Sequence, residues 1–559
     1  MLTEAKTRVE TGTVGDAIAR HLADAGVKTV FGVISIHNMP ILDAIARQKR
    51  IRFVPARGEA GAMNMADAYA RVSRSVGVVI TSTGTGAANA AGAQVEALTA
   101  GSPVLHITTQ VDSEFMDQDR AAIHDVPRQA DMLKAVSKAC FRILNSGSVH
   151  TTLAEAIVAA KSPPAGPVSL EIPVDVQRHP AAIDDRVSPP ELVKPVSCDN
   201  SIDALAEMIK SAHRPMIWLG GGARECAAEA NELVARGLCA VTSTNGRAVV
   251  DERNPATLGA FNMTPEAADI YSRSDLMIVV GSRLRGNETR NFKLPLPTPL
   301  AQIDADASQN GRNYPADLFI HGDAKDTLRR LLERLPERLQ TDAEFRHSIA
   351  IARANSEGRL RDQLGVYRVI ADALQERVSA GGHPFVRDVT ISNSTFGNRY
   401  VQIDQPHHGV HALGGGIGQG IAMGIGAGLV DGEAKSIVLV GDGGAQLGQA
   451  ELITAVEEKA NLVFVLMNDQ AYGVIKNIQD AQYEGRRVYS ALATPDFELL
   501  CRSVGLPHIK VSSETSFAGS LDEAIATEGP VMVEVDMCAI GPFAQPFAGP
   551  PAGAAGSAG

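Results

Sequence analysis

The sequence predicts an α/β protein built from parallel sheets with helices on their faces. Short, continuous runs of β-branched and other apolar residues recur along the chain, and Ala-rich stretches that suit helices lie between them. Such runs are typical of strands buried on both faces of a parallel sheet, because a half-exposed strand alternates apolar and polar residues. Glycine follows many of the runs, as expected for turns at the carboxyl edge of a sheet, where open α/β folds bind ligands.

Apolar runs of this kind stand out at eight places, and none is longer than about ten residues, which favours strands over buried helices. In chain order they are residues 76–84, 102–110, 166–174, 215–222, 275–282, 435–444, 461–469 and 529–536. Their alternation with helical stretches places the whole chain in the α/β class.

The length of the chain predicts several domains. At about 150 residues per domain, 559 residues correspond to three or four domains. Residues 178–196 carry four prolines and no apolar periodicity, which is typical of an exposed connector. Residues 324–364 form a charged helical stretch that Pro336 interrupts. We therefore expect domains at 1–178, 195–340 and 365–540, and a low-complexity tail at 541–559.

Composition and charge argue against several classes of function. The chain has 64 acidic and 52 basic residues, and this net charge of −12 does not suit a general nucleic-acid binder, which needs a basic face. No apolar run approaches the roughly 18 residues of a membrane helix, and the polar first residues contain no signal-peptide core. The six cysteines lack Cys-x-x-Cys spacing, so we expect reduced thiols. The sequence predicts a soluble, cytoplasmic protein without nucleic-acid or membrane partners.

The strongest chemical signal is Gly441-Asp442-Gly443, followed by 24 residues and then Asn468. Each element follows a predicted strand, so two neighbouring strand ends would bring Asp442 and Asn468 to one edge of a sheet. Carboxylate and amide oxygens suit a hard cation such as Mg²⁺, and Gly443 and Gly444 would let the backbone approach a diphosphate closely. A Gly-Asp-Gly turn can also serve turn geometry alone, but its spacing from Asn468 favours the cation.

With this pair in place, the sequence resembles the thiamin-diphosphate enzymes of the acetolactate synthase and benzaldehyde lyase type. The resemblance spans essentially the whole chain, including residues 31–45, 57–71 and 81–90 and the C-terminal half. It implies three α/β domains, each a mostly parallel sheet flanked by helices, which bind the pyrimidine, form the centre and bind the diphosphate. It also implies thiamin diphosphate and Mg²⁺ as cofactors, and a homodimer or homotetramer with the cofactor between two chains.

The resemblance assigns cofactor-binding roles residue by residue. Glu59 matches the glutamate that contacts N1′ of the aminopyrimidine and promotes loss of the thiazolium C2 proton; alternatively it is a carboxylate that stabilises a helix N-terminus. Asp442, Asn468 and the backbone carbonyl of Gln470 match the metal ligands. Ile417 matches the apolar residue that supports the bent cofactor. The other residues expected at the cofactor are Ser394, Thr395, Gly416, Gly443, Gly444, Tyr472 and Gly473.

Two histidines are candidates for proton transfer to the substrate. His37 lies where benzaldehyde lyase also has a histidine, and the ordinary histidine pKa of about 6.5 suits that task. The alternative for His37 is a loop histidine that bonds only to backbone. His124, followed by Asp125, stands where most relatives have glutamine, so it alters the polar wall of the pocket. The sequence allows two positions for His124, facing the substrate or turned away from it.

The central domain and the acceptor side carry further departures. Arg283, Arg285 and Arg290 would pair with the phosphates of FAD or an ADP-type nucleotide if one binds there, as in some relatives; salt bridges are the alternative role. Ile478 stands where acetolactate synthases that favour a larger acceptor carry tryptophan, which predicts a pocket of a different shape.

The predicted enzyme makes or breaks a carbon–carbon bond next to the carbonyl of a small-molecule 2-oxo acid or 2-hydroxy ketone. It would be an acetolactate synthase-like carboligase or lyase. The alternative within catalysis is a non-oxidative 2-oxo acid decarboxylase of the benzoylformate decarboxylase type, in which a proton replaces the acceptor. Outside catalysis, the alternatives are a catalytically idle binding or regulatory relative and a nucleotide-binding module. Intact Glu59, Asp442 and Asn468 argue against the idle relative.

Overall fold

Strands and helices alternate from the start of the chain in the computed structural model, which describes residues 10–183 and 191–549. The first strands are β1 (Glu10–Thr13), β2 (Thr29–Gly32), β3 (Arg52–Pro55), β4 (Gly77–Thr81), β5 (Val104–Gln110), β6 (Ala139–Arg142), β7 (Val168–Pro173) and β8 (Pro180–Ile183). The helices between them are α1 (Val14–Asp24), α2 (Met39–Gln48), α3 (Glu59–Ser73), α4 (Thr85–Ala100), α5 (Gln129–Ala135) and α6 (Val149–Lys161).

Six of these strands form the N-terminal sheet in the order β3-β2-β4-β5-β7-β6, and every neighbouring pair is parallel. Strands β1 and β8 form a separate antiparallel pair. Helix α1 shows how local sequence sets an element. The side chain of Thr13 accepts the N–H of Asp16, and the Asp16 carboxylate accepts the N–H of Thr13, so both otherwise unpaired donors at the helix start are bonded.

Part of the predicted connector at 178–196 is regular structure, so that part of the prediction is wrong. Residues Pro180–Ile183 are strand β8, because their backbone pairs with β1. Proline does not prevent this pairing, since Pro180 begins the strand, where no ladder donor is needed. The remainder of the connector is described only from residue 191, and residues 184–190 lie outside the described structure, as do 1–9 and the tail residues 550–559.

The central part of the chain forms a second parallel sheet, in the order β10-β9-β11-β12-β13 once its elements are numbered. Its strands are β9 (Pro215–Leu219), β10 (Cys239–Thr242), β11 (Leu276–Val280), β12 (Leu300–Asp304) and β13 (Leu318–His321). Its helices are α7 (Asp199–Ser211), α8 (Ala227–Arg236), α9 (Pro265–Arg273) and α10 (Ala324–Leu332), followed by α11 (Ala343–Leu364).

The C-terminal part forms a third sheet, which is again entirely parallel. Its strands are β14 (Phe385–Arg387), β15 (Gly409–His411), β16 (Ser436–Gly441), β17 (Leu462–Asn468), β18 (His508–Val511) and β19 (Val531–Asp536). Its helices are α12 (Arg368–Gly381), α13 (Gly420–Gly428), α14 (Asp442–Gly448), α15 (Leu452–Glu457), α16 (Gly473–Gln482), α17 (Phe497–Val504), α18 (Phe517–Ala526) and α19 (Met537–Ile540). Strand order is β15-β14-β16-β17-β19-β18.

The N-terminal and C-terminal sheets share one topology. Numbered within each sheet, both have the strand order 2-1-3-4-6-5. In each, the order reverses between the first and third strands, which opens a crevice at the carboxyl edge between β2 and β4 and between β14 and β16. Open α/β sheets bind ligands at such points.

The predicted fold class is confirmed. Each of the eight apolar runs contains a strand, and each strand of the three sheets is parallel to its neighbours. The chain forms two compact units, which are residues 1–193 with 425–431 and 453–458, and residues 194–424 with 432–452 and 459–559. All six cysteines are free thiols. Within the described ranges, no helix combines the length and apolar character needed to cross a membrane.

Candidate functional site

Glu59 is the first residue of α3 and follows the turn after β3. Its carboxylate is half-buried, and its Oε2 accepts a hydrogen bond of 3.1 Å from Nδ2 of Asn89. Its Oε1 lies beside Gly86, 3.2 Å from where a Cβ atom of that residue would be. The absence of a side chain at Gly86 therefore leaves this face of the carboxylate open. The position suits both roles considered from the sequence, because a carboxylate at a helix N-terminus is stabilised there.

His37 and His124 lie together at the crevice of the N-terminal sheet. His37 follows β2, is 7% exposed, and has its Nδ1 3.5 Å from Oγ of Ser82, which follows β4. The rings of His37 and His124 are nearly perpendicular, with centroids 5.1 Å apart. Burial lowers the pKa of His37, and the neighbouring His124 lowers it further. His37 is thus held as a neutral imidazole at neutral pH.

Gln129, which was not predicted from the sequence, holds the loop at Gly84 that packs against His124. Gln129 is fully buried, and its Oε1 accepts the N–H of Gly84 at 2.7 Å, while its Nε2 donates to Oε1 of Glu171 at 2.8 Å. Gly84 has a φ of +61°, and a Cβ atom there would overlap the carbonyl oxygen of His124. A buried glutamine after a polar loop has no distinctive sequence pattern, so only the folded structure reveals it.

Asp125 is a second residue of this segment with an unusual environment. Both of its carboxylate oxygens are buried, and neither has a hydrogen-bond partner among the residues described. A carboxylate in that situation suits a cationic partner, because an unpaired buried charge is costly.

Asp442 and Asn468 lie at neighbouring strand ends in the C-terminal sheet. Asp442 follows β16, Asn468 ends β17, and these two strands pair in parallel with Gly441 opposite Met467. Asp442 is 1% exposed, and its Oδ2 has no hydrogen-bond partner in the part of the chain that the structure describes. Burial raises the pKa of Asp442 to about 7, and the adjacent carboxylate of Asp469 adds to that rise.

Glycines around Asp442 hold the backbone close to neighbouring side chains. A Cβ atom at Gly443 would lie 2.7 Å from the ring of Tyr472, and one at Gly444 would lie 2.6 Å from Oδ2 of Asp388. Asp388 follows β14, so it lies across the crevice from Gly444. Its carboxylate accepts the N–H groups of Val389 at 2.7 Å and Gly418 at 3.0 Å, and burial nevertheless raises its pKa to about 6. Asp388 was not singled out from the sequence.

Asn468 and Gln470 are the other predicted metal ligands. Nδ2 of Asn468 donates to Oε1 of Glu534 at 2.7 Å, which leaves its Oδ1 with one long hydrogen bond of 3.4 Å from the Gln470 N–H. Gln470 has a φ of +51°, and its carbonyl oxygen accepts the N–H of Leu492 at 2.9 Å. That carbonyl keeps one further lone pair for a cation.

Ser394 and Thr395 lie in a π-helical turn, Asn393–Gly397, after β14. The Thr395 hydroxyl donates to backbone carbonyls just before this turn, those of Ile391 at 2.9 Å and Ser392 at 3.0 Å, and Ser394 is half-buried. The hydroxyl of Ser392 and Oδ1 of Asn393 are buried and have no partner among the described residues. These two groups, rather than Thr395, are the unsatisfied polar atoms of the turn.

Gly416, Ile417 and Tyr472 lie in loops at the same carboxyl edge of the C-terminal sheet, and Gly473 follows Tyr472 there as the first residue of α16. Ile417 is 39% exposed, which is high for an isoleucine and leaves its side chain open to a ligand. A Cβ atom at Gly416 would lie 2.7 Å from Nε2 of Gln419. Gly473 begins α16, where a side chain would overlap the carboxylate of Asp469.

The arginines of the central sheet use their guanidinium groups on the protein itself. Nη2 of Arg285 donates to the carbonyl of Leu413 at 2.8 Å, and Nη2 of Arg290 donates to the carbonyl of Met263 at 2.8 Å. Arg283 is exposed after β11. Two of the three candidate arginines thus each have one guanidinium nitrogen bonded to a backbone carbonyl.

The C-terminal crevice fits a divalent cation with a diphosphate. Asp442 offers an unpartnered buried oxygen, Asn468 offers Oδ1, and Gly443 and Gly444 offer backbone with no side chain between it and the crevice. The buried carboxylate of Asp442 and the half-buried one of Asp469 would repel each other when both are ionised, and a cation between or beside them relieves that repulsion.

Three family models match this chain. That described as "Thiamine pyrophosphate enzyme, N-terminal TPP binding domain" matches residues 12–132. The models of the central domain and of the C-terminal TPP binding domain of the same enzymes match residues 202–331 and 390–535.

Relatives match over nearly the full chain. A probable 2-ketoarginine decarboxylase of Pseudomonas aeruginosa is 31% identical over 89% of this chain and 89% of its own length. The acetolactate synthase large subunit of Haemophilus influenzae is 27% identical over 93% of this chain and 94% of its own. The large subunit of acetolactate synthase isozyme 3 of Escherichia coli is also 27% identical, over 91% of this chain and 92% of its own.

Proposed function

This chain belongs to the thiamine pyrophosphate enzyme family, and from that premise we propose that it is an acetolactate synthase-like carboligase or lyase acting on a 2-oxo acid or 2-hydroxy ketone. Thiamine pyrophosphate is thiamin diphosphate, and enzymes that use it form or cleave carbon–carbon bonds next to a carbonyl. The observation that carries the proposal is the pair Asp442 and Asn468 at one sheet edge, with an unpartnered buried carboxylate oxygen and adjoining glycines.

We propose a separate role at the cofactor for each of the predicted cofactor-binding residues. When bound, thiamin diphosphate supplies a nucleophilic carbon and an electron sink for the bond next to the carbonyl. Asp442, Asn468 and the Gln470 carbonyl would hold Mg²⁺ through oxygen, and Gly443 and Gly444 would approach the diphosphate. Ile417 would pack against the cofactor from its exposed position. Glu59, bonded to Asn89, would hold a proton at the ring nitrogen of the aminopyrimidine.

His37 and His124 would handle protons at the substrate oxygen. A neutral imidazole can donate from one nitrogen and accept at the other, and the lowered pKa of His37 keeps it neutral at physiological pH. The rings of His37 and His124 are nearly perpendicular, and their centroids are 5.1 Å apart. Replacing His37 with glutamine would keep a hydrogen-bond donor but remove proton transfer, a change that mutagenesis typically registers as about 100-fold or more in turnover.

Simple decarboxylation of a cationic 2-oxo acid is the second candidate function. It is favoured by the relative described as a probable 2-ketoarginine decarboxylase and by Asp125, whose carboxylate is buried without a partner among the residues described. A guanidinium group would pair with this carboxylate in a bidentate manner. On this hypothesis Asp125 recognises the distal end of the substrate and adjacent His124 the reacting end.

Proton NMR of the reaction mixture distinguishes these functions. The protein is incubated with thiamin diphosphate and Mg²⁺, and with pyruvate or with 5-guanidino-2-oxopentanoate. Acetolactate or another ligated 2-hydroxy ketone from pyruvate supports the carboligase. An aldehyde from the guanidino acid, lost on replacing Asp125 with asparagine, supports the decarboxylase. Absence of any product, with no binding of thiamin diphosphate, contradicts both.

Further parts of the proposal concern assembly and location. We propose a homodimer or homotetramer, supported by large exposed apolar side chains on the first unit, Ile36 and Ile123, and on the second, Leu447 and Tyr489. Light scattering coupled to gel filtration measures this directly. The free cysteines support a cytoplasmic location. For the central domain we propose that Arg285 and Arg290 hold backbone carbonyls in place of the phosphates of FAD or an ADP-type nucleotide.

The proposed domains are those expected from the sequence, 1–178, 195–340 and 365–540. Each matched family range lies inside one of them, and each range contains strands of a different sheet.

A further inference from the structure

A row of polar side chains crosses three strands of the C-terminal sheet behind Asn468. Nδ2 of Asn468 on β17 donates to Oε1 of Glu534 on β19 at 2.7 Å. The other carboxylate oxygen of Glu534, Oε2, lies 2.8 Å from Nε2 of His508 on β18. The strand register explains the row. Glu534 is opposite Leu466 on β17 and Lys510 on β18. Side chains alternate between the two faces of a sheet, so Asn468 and His508, each two positions from one of these residues, lie on the same face as Glu534.

This row lies in the protein interior. Glu534 is 4% exposed, and the side chain of His508 is nearly as buried. Both carboxylate oxygens of Glu534 are bonded, one to Asn468 and the other to His508. Burying a carboxylate is costly unless it is paired. Leucine or valine would fill the place at lower cost, so the row calls for an explanation beyond packing.

The explanation concerns the orientation of the Asn468 amide. An amide has a donor end and an acceptor end, and only the acceptor end can bind a cation. A carboxylate accepts hydrogen bonds and cannot donate them, so Glu534 selects the donor end, Nδ2. That leaves Oδ1 as the atom that bears only the long 3.4 Å contact from the Gln470 N–H.

We propose that Glu534 is a positioning residue that fixes the Asn468 amide with its oxygen available to the divalent cation, and that His508 in turn holds Glu534. The inference rests on the proposed function, because it assumes that Asn468 is a metal ligand. It adds two residues, on separate strands and outside the Gly-Asp-Gly and Asn motif, to those that set metal affinity. Groups that orient a metal ligand typically change metal affinity by 10–100-fold when they are replaced.

The test measures Mn²⁺ binding, with Mn²⁺ in place of Mg²⁺, by the electron paramagnetic resonance signal of the free ion in the presence of thiamin diphosphate. Glu534→Gln keeps the size of the side chain but allows its amide to present a donor to Asn468. We expect its Mn²⁺ dissociation constant to rise about 10–100-fold. His508→Leu removes the hydrogen-bond partner of Glu534 Oε2 and should raise the Mn²⁺ dissociation constant by a smaller factor.

Asp536→Asn is the matched control. Asp536 faces Asn468 in the strand register and pairs with Lys510 at 3.1 Å, so this variant removes one negative charge at the same place without touching the amide. It should leave the dissociation constant within about threefold of wild type. A loss as large as that of Glu534→Gln would show that net charge, and not orientation, matters, and would overturn the proposal.

A charge-swapped pair gives a second readout that does not depend on activity. In Asn468→Asp the new carboxylate faces that of Glu534, and Mn²⁺ binding should weaken further; adding Glu534→Gln supplies a donor to the new carboxylate and should restore binding. Failure of this rescue in a protein that unfolds at the wild-type temperature overturns the proposal. If the wild-type protein binds neither Mn²⁺ nor thiamin diphosphate, the proposed function itself is overturned. If the wild-type protein binds both and Glu534→Gln binds Mn²⁺ with the same affinity, only the positioning role is overturned.

Discussion

Single carboxylates at the candidate site are held in environments that set their protonation. Asp442 and Asp388 are buried at the C-terminal crevice, and their pKa values rise to about 7 and about 6. Glu59 is half-buried at the start of a helix and accepts a hydrogen bond from the side-chain amide of Asn89. At this scale an exchange of one oxygen for one NH₂ group tests function with little change in shape.

Glu59→Gln should reduce the rate at which bound thiamin diphosphate loses its C2 proton by at least about 100-fold, because the amide cannot share a proton with the ring nitrogen. The exchange of that proton for deuterium, followed by NMR after acid quench, measures the rate. Cofactor affinity should change little. Glu155→Gln, an exposed glutamate of α6, is the control and should exchange as wild type. Rapid exchange in Glu59→Gln would remove Glu59 from proton transfer.

Strand-to-helix turns that contain glycine form much of the site. Strand β16 passes directly into α14 at Asp442, and the next two residues are glycines, where a Cβ atom would overlap Tyr472 at the first and Asp388 at the second. The turn after β4 is similar, since Gly84 lies under the carbonyl of His124. At each of these glycines a Cβ atom would overlap a neighbouring residue, so a larger residue would force the turn to shift.

Gly444→Ala should weaken thiamin diphosphate binding roughly 5–150-fold, because a methyl group 2.6 Å from the buried Asp388 carboxylate forces a shift that typically costs about 1–3 kcal/mol. Equilibrium dialysis with Mg²⁺ present measures the dissociation constant. Gly432→Ala is the matched control, because a Cβ atom there meets nothing within 4 Å. Equal affinities in the two variants would contradict the close approach at Gly444.

At the scale of the whole molecule, buried ionic groups hold parts of the second unit together. Arg247 and Glu252 form a bidentate pair, and their side chains are almost fully buried. Arg247 also donates to the carbonyl of Val401 at 2.7 Å, and Glu252 accepts the N–H of Ile403 at 3.0 Å. This pair therefore ties the loop after β10 to the segment that precedes β15.

Arg247→Met should destabilise the protein by about 3–5 kcal/mol, since it leaves Glu252 buried without its cation. Urea unfolding followed by circular dichroism measures the change. Arg253→Met, which breaks an exposed pair with Asp251, should cost no more than about 1 kcal/mol. A similar small effect at both positions would show that the buried pair contributes little.

Two buried histidines of the first unit make stability depend on pH. Burial lowers the pKa of His21 from 6.5 to about 4 and that of His106 to about 3. Between those values and 6.5 the unfolded chain binds protons that the folded chain does not. Stability is therefore full above a pH of about 6.5 and falls as the pH is lowered.

His21→Leu should flatten this dependence, because it removes one titrating group whose Nε2 is buried and has no partner in the described ranges. The unfolding free energy of the variant should fall by about 1.4 kcal/mol less per pH unit than that of wild type, between pH 6.5 and 4. Urea unfolding at pH 7 and pH 5 measures both slopes. His347→Leu, an exposed histidine of α11, should keep the wild-type slope; parallel slopes for His21→Leu would refute the assignment.

Some features of the site could not be predicted, and the reason is the same in each case. Gln129 bonds to Gly84, Asp388 to Gly418 and Glu534 to Asn468. The two residues of these pairs are 45, 30 and 66 positions apart in the sequence. A buried glutamine or carboxylate has no sequence pattern of its own, because its role depends on which strand ends meet. Short strands such as β14 and β15 escaped prediction because three residues are too few to form an apolar run.

Sequence patterns alone predicted the α/β class, eight of the strands and the placement of Asp442 and Asn468 after adjacent strands, since apolar periodicity and local turn residues are encoded in neighbouring positions. The resemblance of its motifs identified the family. Only the tertiary structure decided that both outer sheets share one strand order, that His37 meets His124, and that Glu534 and His508 lie behind Asn468. Strand order and side-chain contacts arise from packing between distant segments, and no local pattern records them.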